Sequence, residues 1–172
     1  MKTLAASFGI SKDGAHAGVV TFSSDVEHSI KLNDHFNLND FNKAVQGISH
    51  MKNYTRIDKA LRLTQKEMFT AANGGRPDAK TIVIVLTDGS QTRQGLKDLE
   101  DPALVARELR DIGYTVLAIG MGSGADTNEL IAITGNEDHV YSATTFEELI
   151  TEEFLNRVNK GGCEEGIYFI RR

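Results

Sequence analysis

Cysteine is nearly absent from this 172-residue chain: Cys163 is the only one, so no disulfide can close within it. Cysteine usage therefore says nothing about the redox compartment. Cys163 stands in a Gly-Gly-Cys-Glu-Glu-Gly tail, where a free thiol and an inter-chain disulfide are both open to it. Basic charge is also in short supply. With 19 Lys and Arg against 24 Asp and Glu, the formal net charge is −5. No basic face is visible for phosphate contacts, which argues against a nucleic-acid partner and is compatible with cation binding. No apolar run approaches the ~20 residues of a membrane-spanning helix. Met1 to Gly9 carry one lysine and an apolar patch cut by Ser7 and Gly9, so no signal peptide is visible. Internal repeats and low-complexity linkers are missing too. So is any catalytic constellation: His16, His28, His35, His50 and His139 fall on different elements, and Cys163 has no base beside it.

What is present is a chain of one-domain length, able to bury roughly 70% of its unfolded surface. Its centre is Lys80 to Thr92, Lys-Thr-Ile-Val-Ile-Val-Leu-Thr-Asp-Gly-Ser-Gln-Thr. The run Thr81 to Leu86 is too short for a free-standing helix and shows no alternation, which predicts a strand buried on both faces of a parallel sheet. It stops at Thr87-Asp88-Gly89, placing a carboxylate at the carboxyl end of a central strand, where open α/β sheets bind ligands. Asp88 is thus a candidate site residue; its alternative role is to close the turn through its own side chain.

Around this strand the pattern alternates. Residues 1–9 read as the back half of an amphipathic helix. Ala17 to Ser23 and Val26 to Leu32 read as a hairpin, the second strand being a half-exposed edge. Asn39 and Asp40 can cap a helix over Phe41 to Ile48. Thr55 precedes a longer helix from Ile57 to about Ala72, with Ile57, Leu61, Thr64, Met68 and Ala72 on one stripe and Asn73-Gly74-Gly75 closing it. Asp101-Pro102 opens a helix that Gly113 ends, and Tyr114 to Gly120 is the next buried strand. Asp126 and Thr127 begin a short helix through Ile133, His139 to Ser142 forms a strand, and Thr145 to Lys160 the last helix. The expected architecture is α/β: three layers, with a mostly parallel, doubly wound sheet and one antiparallel edge strand.

In this order the pieces Ala-Gly-Val-Val-Thr-Phe-Ser-Ser (from Ala17), Thr-Arg-Ile-Asp-Lys-Ala-Leu-Arg (from Thr55), Val-Ile-Val-Leu-Thr-Asp-Gly-Ser-Gln-Thr (from Val83), the stretch Ala106 to Gly122 and the stretch Glu129 to Leu149 resemble a von Willebrand factor type A domain. The likeness is to the kind found in collagen-associated and matrilin-like matrix proteins, and it covers residues 1–160, leaving 161–172 as a tail. It implies a non-enzymatic adhesion or matrix-assembly module, extracellular, with a protein ligand. It also implies a divalent metal, usually magnesium, above the sheet. Its ligands would come from an Asp-x-Ser-x-Ser loop after the first strand, from a threonine that the resemblance places at Thr55, and from an aspartate that it places at Asp88. Hard oxygen donors of this kind suit magnesium and leave a coordination position for an acidic partner side chain. Thr55 has an alternative role as a helix N-cap.

The departure from the pattern matters as much. Met1 already falls within the first helix of the resembled fold, so the reading expects an amino-terminally truncated domain that lacks its first strand and loop, an incomplete metal site, and magnesium binding that is weak or absent. Asp88-Gly89-Ser90-Gln91-Thr92 has the loop's spacing, but it follows the hairpin and the Thr55 helix, whereas the family's loop precedes both. The empty central slot raises a further expectation: Ile167 to Ile170, apolar and β-branched, enters it as a parallel strand and ends in Arg171 and Arg172. A second function class, a nucleotide-binding enzyme using Gly120-Met121-Gly122-Ser123-Gly124, is weaker because the Gly-x-Gly-x-x-Gly spacing is missing. Asn53-Tyr54-Thr55 is a glycosylation acceptor pattern, read here as unused because a glycan would crowd Thr55.

Overall fold

The computed structural model describes residues 5–49, 53–145, 147–148, 151–153 and 155–156, and the backbone of 167–171. The strands are β1 (Ala17–Phe22), β2 (Val26–Ile30), β3 (Ile82–Thr87), β4 (Thr115–Met121), β5 (Val140–Ala143) and β6 (Ile167–Arg171). They form one sheet in the order β2-β1-β6-β3-β4-β5. Only the β1–β2 pair is antiparallel; β1–β6, β6–β3, β3–β4 and β4–β5 are parallel. The mostly parallel sheet with one antiparallel edge strand is the architecture the sequence pattern implies.

The helices are α1 (Leu38–Gly47), α2 (Ile57–Leu63), α3 (Pro102–Asp111) and α4 (Thr127–Thr134). They cover both faces, which explains why β3 carries no alternation. Ile82 and Ile84 face a core shared with Val19, Phe41, Val45, Leu117 and Ile119, beneath α1. Val83 and Val85, pointing the other way, meet Ile57, Leu61, Val105, Leu109, Leu130 and Ile133 from α2, α3 and α4. Each such aliphatic side chain, taken fully out of water, contributes about 1.5–3 kcal/mol. A strand with two apolar faces is stable only between two such layers.

Local signals set most element ends. Asp101 caps α3, accepting from the Ala103 amide, with Pro102 in the first turn. Asp126 caps α4, and Gly135 ends it in the left-handed region at φ 70°. For α1 the cap is Asn37 rather than Asn39 or Asp40: its side chain accepts from the Asp40 amide, and the helix starts at Leu38. The helix expected from Ile57 to Ala72 is shorter. Its α-helical part ends at Leu63, and a π-helical turn, Thr64–Met68, follows. The chain then reverses around the Glu67 carbonyl, which accepts from the Thr70 amide, the Thr70 hydroxyl and the Asn73 side chain. The apolar stripe is kept as far as Met68, which is fully buried. Residues 1–4 and much of 145–160 lie outside the described residues, so the first and last predicted helices are seen only in part, at 5–6, 152–153 and 155–156.

The tail does form the middle strand. Ile167 pairs with Ala17 on one side and Ile82 on the other, and the register runs on to Arg171 between Thr21 and Leu86.

Candidate functional site at the carboxyl edge of the sheet

Five strands, β1, β6, β3, β4 and β5, run parallel and end at one edge. Asp88 and Gly89 leave β3 there, Gly122 to Asp126 leave β4, and β6 reaches the same edge at Arg171. The turn after β3 is closed by Thr87, whose hydroxyl donates to the Gly89 carbonyl at 2.7 Å and accepts from the Gly89 amide at 3.2 Å. Asp88 itself is exposed.

Thr55 belongs to the same edge. Its amide donates to the Thr92 hydroxyl at 2.9 Å, and the Thr92 amide donates to the Thr55 carbonyl at 2.9 Å. This reciprocal pair ties the segment before α2 to the loop that Asp88 opens. Thr55 is only 4% exposed. It is not the helix cap: the boundary of α2 falls at Arg56, and no side chain caps it. Asn53 is exposed in the bend just before it.

Beneath these loops lies a charged network that the sequence reading missed. Arg56 and Asp58 are each 1% exposed and form a bidentate pair, Nε to Oδ1 at 2.9 Å and Nη2 to Oδ2 at 2.8 Å. Gln91 completes it, donating from Nε2 to Asp58 Oδ1 at 2.8 Å while its Oε1 accepts from the Asp58 amide at 3.1 Å. Arg56 also reaches the Asp98 side chain and carbonyl, and Asp58 accepts from the Glu100 amide. Burial pushes the Asp58 carboxyl upward, but the bonds from Arg56, Gln91 and the Glu100 and Lys59 amides outweigh it and hold the group below the ordinary aspartate value. Lys59 and Arg56 likewise depress Asp98. The Gln91 amide donates to Glu129 at 2.7 Å, and Glu129 pairs with Arg93, so the first turn of α4 joins the assembly. The legible signal was two opposite charges, Arg56 and Asp58, at the buried start of an apolar stripe.

The glycine-rich stretch after β4 serves packing. A Cβ on Gly124 would stand 2.3 Å from the Asp88 carbonyl oxygen, and the Ser90 hydroxyl donates to the Gly124 carbonyl at 3.1 Å. Only glycine lets these two loops touch. The amino end of α4, where a phosphate would sit, is already engaged by the Asp126 carboxylate.

A hard cation needs several oxygen ligands. Asp88 and Thr55 both belong to this edge, whose loops also carry the Ser90 and Thr92 hydroxyls and meet the Glu129 carboxylate, and among the described residues no three His, Cys, Asp or Glu side chains gather as a metal-binding group. The donor set fits a divalent ion only in part. Cys163 lies outside the described residues, and no helix among them is long and apolar enough to cross a membrane.

The comparisons with known proteins agree with this fold. The family model described as von Willebrand factor type A domain matches residues 1–156. The collagen alpha-4(VI) chain of Mus musculus is 31% identical over 157 residues, covering 90% of this chain and 6% of that protein. Matrilin-1 of Mus musculus is 28% identical, covering 88% of this chain and 29% of that protein. This chain thus spans less than a third of either relative. Among solved structures, proximal thread matrix protein 1 from the mussel byssus, in a form with a zinc-occupied MIDAS motif, superposes with a TM-score of 0.83 at 31% identity, over 94% of this chain and 41% of that one. Manganese-loaded Plasmodium vivax TRAP protein superposes at 0.73 with 19% identity, over 93% of this chain and 62% of that one, a likeness of fold.

Proposed function

Since this chain belongs to the von Willebrand factor type A domain family, we propose that it is a non-enzymatic protein-binding module of extracellular matrix or adhesive assemblies, working through the carboxyl edge of its sheet. The observation that carries this reading is the reciprocal hydrogen bonding of Thr55 and Thr92, which fixes the Thr55 segment against the Asp88 loop. A binding edge has to be held rigid before a partner arrives, and the buried Arg56–Asp58–Gln91 network does so. Relatives among collagen VI chains and matrilins, and a neighbour from mussel byssal thread matrix, point to the class of partner.

The metal site is incomplete on this reading. Thr55 and Asp88 are the residues that would hold a divalent ion, and magnesium there would supply a Lewis-acidic position for a carboxylate. Among the described residues no three His, Cys, Asp or Glu side chains gather to complete the set. Partner contact then falls to the protein's own edge residues, Asp88, Ser90 and the exposed Tyr54 among them.

Surface plasmon resonance against a panel of purified matrix proteins that includes collagen VI and matrilin-1 tests this. The expected result is saturable binding to at least one, weakened about tenfold or more by Tyr54→Ala with Asp88→Ala, and changed by less than about threefold when EDTA replaces magnesium. Absence of binding to every member, together with thermal stabilisation by a nucleotide, would overturn the reading in favour of an enzyme.

A further inference from the structure

The sheet is joined through its last strand. In the order β2-β1-β6-β3-β4-β5, β1 and β3 do not neighbour each other, and β6 alone connects the two-stranded half to the three-stranded half. β6 is hydrogen-bonded along both sides, five residues deep, to Ala17–Thr21 and to Ile82–Leu86. Yet it comes last in the chain, and residues 144–166 separate it from β5, which lies at the far edge of the sheet.

This order has a physical consequence. Until β6 arrives, two strand edges in the middle of the molecule carry unpaired amides and carbonyls, and such edges template pairing with any suitable segment. The segment that fits is Ile-Tyr-Phe-Ile-Arg, and every copy of the chain carries it. The hydrogen bonds and register are the same whichever copy provides the strand. Chain connectivity alone favours a copy's own tail, by raising its effective concentration at its own slot.

We infer that β6 also fills the slot of a second copy of this chain, so that copies become linked by exchange of their middle strand. Linkage in which one copy's tail enters the next copy's slot is head-to-tail, and it extends from dimers to longer series unless it closes on itself. The inference goes beyond the matrix-binding reading, which concerns the carboxyl edge and can be measured on the monomer.

The register supplies the test, because Leu86 of β3 and Arg171 of β6 are Cα partners. Neighbouring strands lie about 4.8 Å apart, within reach of a disulfide. Two chains carrying Cys163→Ser, one with Leu86→Cys and one with Arg171→Cys, are mixed in denaturant, refolded together at about 10 µM and at about 500 µM, and oxidised. The double variant Leu86→Cys/Arg171→Cys, refolded dilute, reports whether the pair bridges within one chain. The expected result is a disulfide-linked mixed dimer whose yield rises at least about fivefold with concentration. Closure of the double variant with no mixed dimer at either concentration would overturn the inference. If the double variant does not close, light scattering on the unaltered chain decides: dimers and larger species after concentrated refolding support exchange, whereas a monomer at both concentrations refutes it.

Discussion

Arg56 and Asp58 set the behaviour of the site at the scale of single residues. Both side chains are out of water, so removing Asp58 leaves the buried Arg56 with only Asp98, whose side chain is exposed, as partner, at a cost of about 3–5 kcal/mol, whereas replacing both with apolar groups removes the desolvation burden as well. Urea unfolding should therefore show Asp58→Ala losing about 3–5 kcal/mol, and the double variant Arg56→Met/Asp58→Leu recovering at least about 2 kcal/mol of that. Acid adds a second signature. The folded Asp58 carboxyl lies below its ordinary value of 3.8, so it contributes stability above that pH, and the contribution is lost as pH falls through the folded value. Stability measured between pH 5 and pH 2 should fall for the native chain and fall less steeply for Asp58→Asn. Glu108 is also depressed, to about 2, by hydrogen bonds from Arg62 and Gln65, but it is solvent-exposed and its pairing is screened. Asp88 was legible from its place at the carboxyl end of a buried strand, whereas Thr55 was marked by the family resemblance. Gln91 was not, since a lone glutamine in a polar loop gives no sign that a buried carboxylate waits 33 positions earlier.

At the scale of elements, the glycine at the β4–α4 junction and the last strand carry the testable consequences. Gly124→Ala drives a Cβ into the Asp88 carbonyl, and backbone cannot give way as a flexible side chain would. The Asp88 loop must move, and partner affinity at that edge should drop by about tenfold or more while the melting temperature changes by only a few degrees, read by resonance binding and calorimetry in parallel. For β6, pairing on both sides predicts slow amide exchange from Ile167 to Ile170, comparable with β3, while Ile170→Pro should remove that protection and destabilise the sheet. The composition of the tail made the strand legible, and the unfilled slot in the resembled fold showed where it goes. The break in α2 was not legible. Periodicity continued through Thr64 and Met68, and only the convergence of three donors on the Glu67 carbonyl, a matter of tertiary turn geometry, ended the helix early.

At the scale of the molecule, two apolar cores on either side of one sheet were readable from an unalternating β3 flanked by amphipathic helices, because a strand buried on both faces requires two covering layers. What the edge binds follows from donor chemistry rather than from fold. On the proposed reading, an edge with Thr55 and Asp88 as its donors keeps its shape and holds a cation weakly. Isothermal titration of magnesium into this chain tests that claim most directly. The account predicts no saturable heat below about 1 mM, in the wild type and in Asp88→Ala alike, since two donors cannot replace several water ligands of a small hard ion. A micromolar dissociation constant abolished by Asp88→Ala would contradict it.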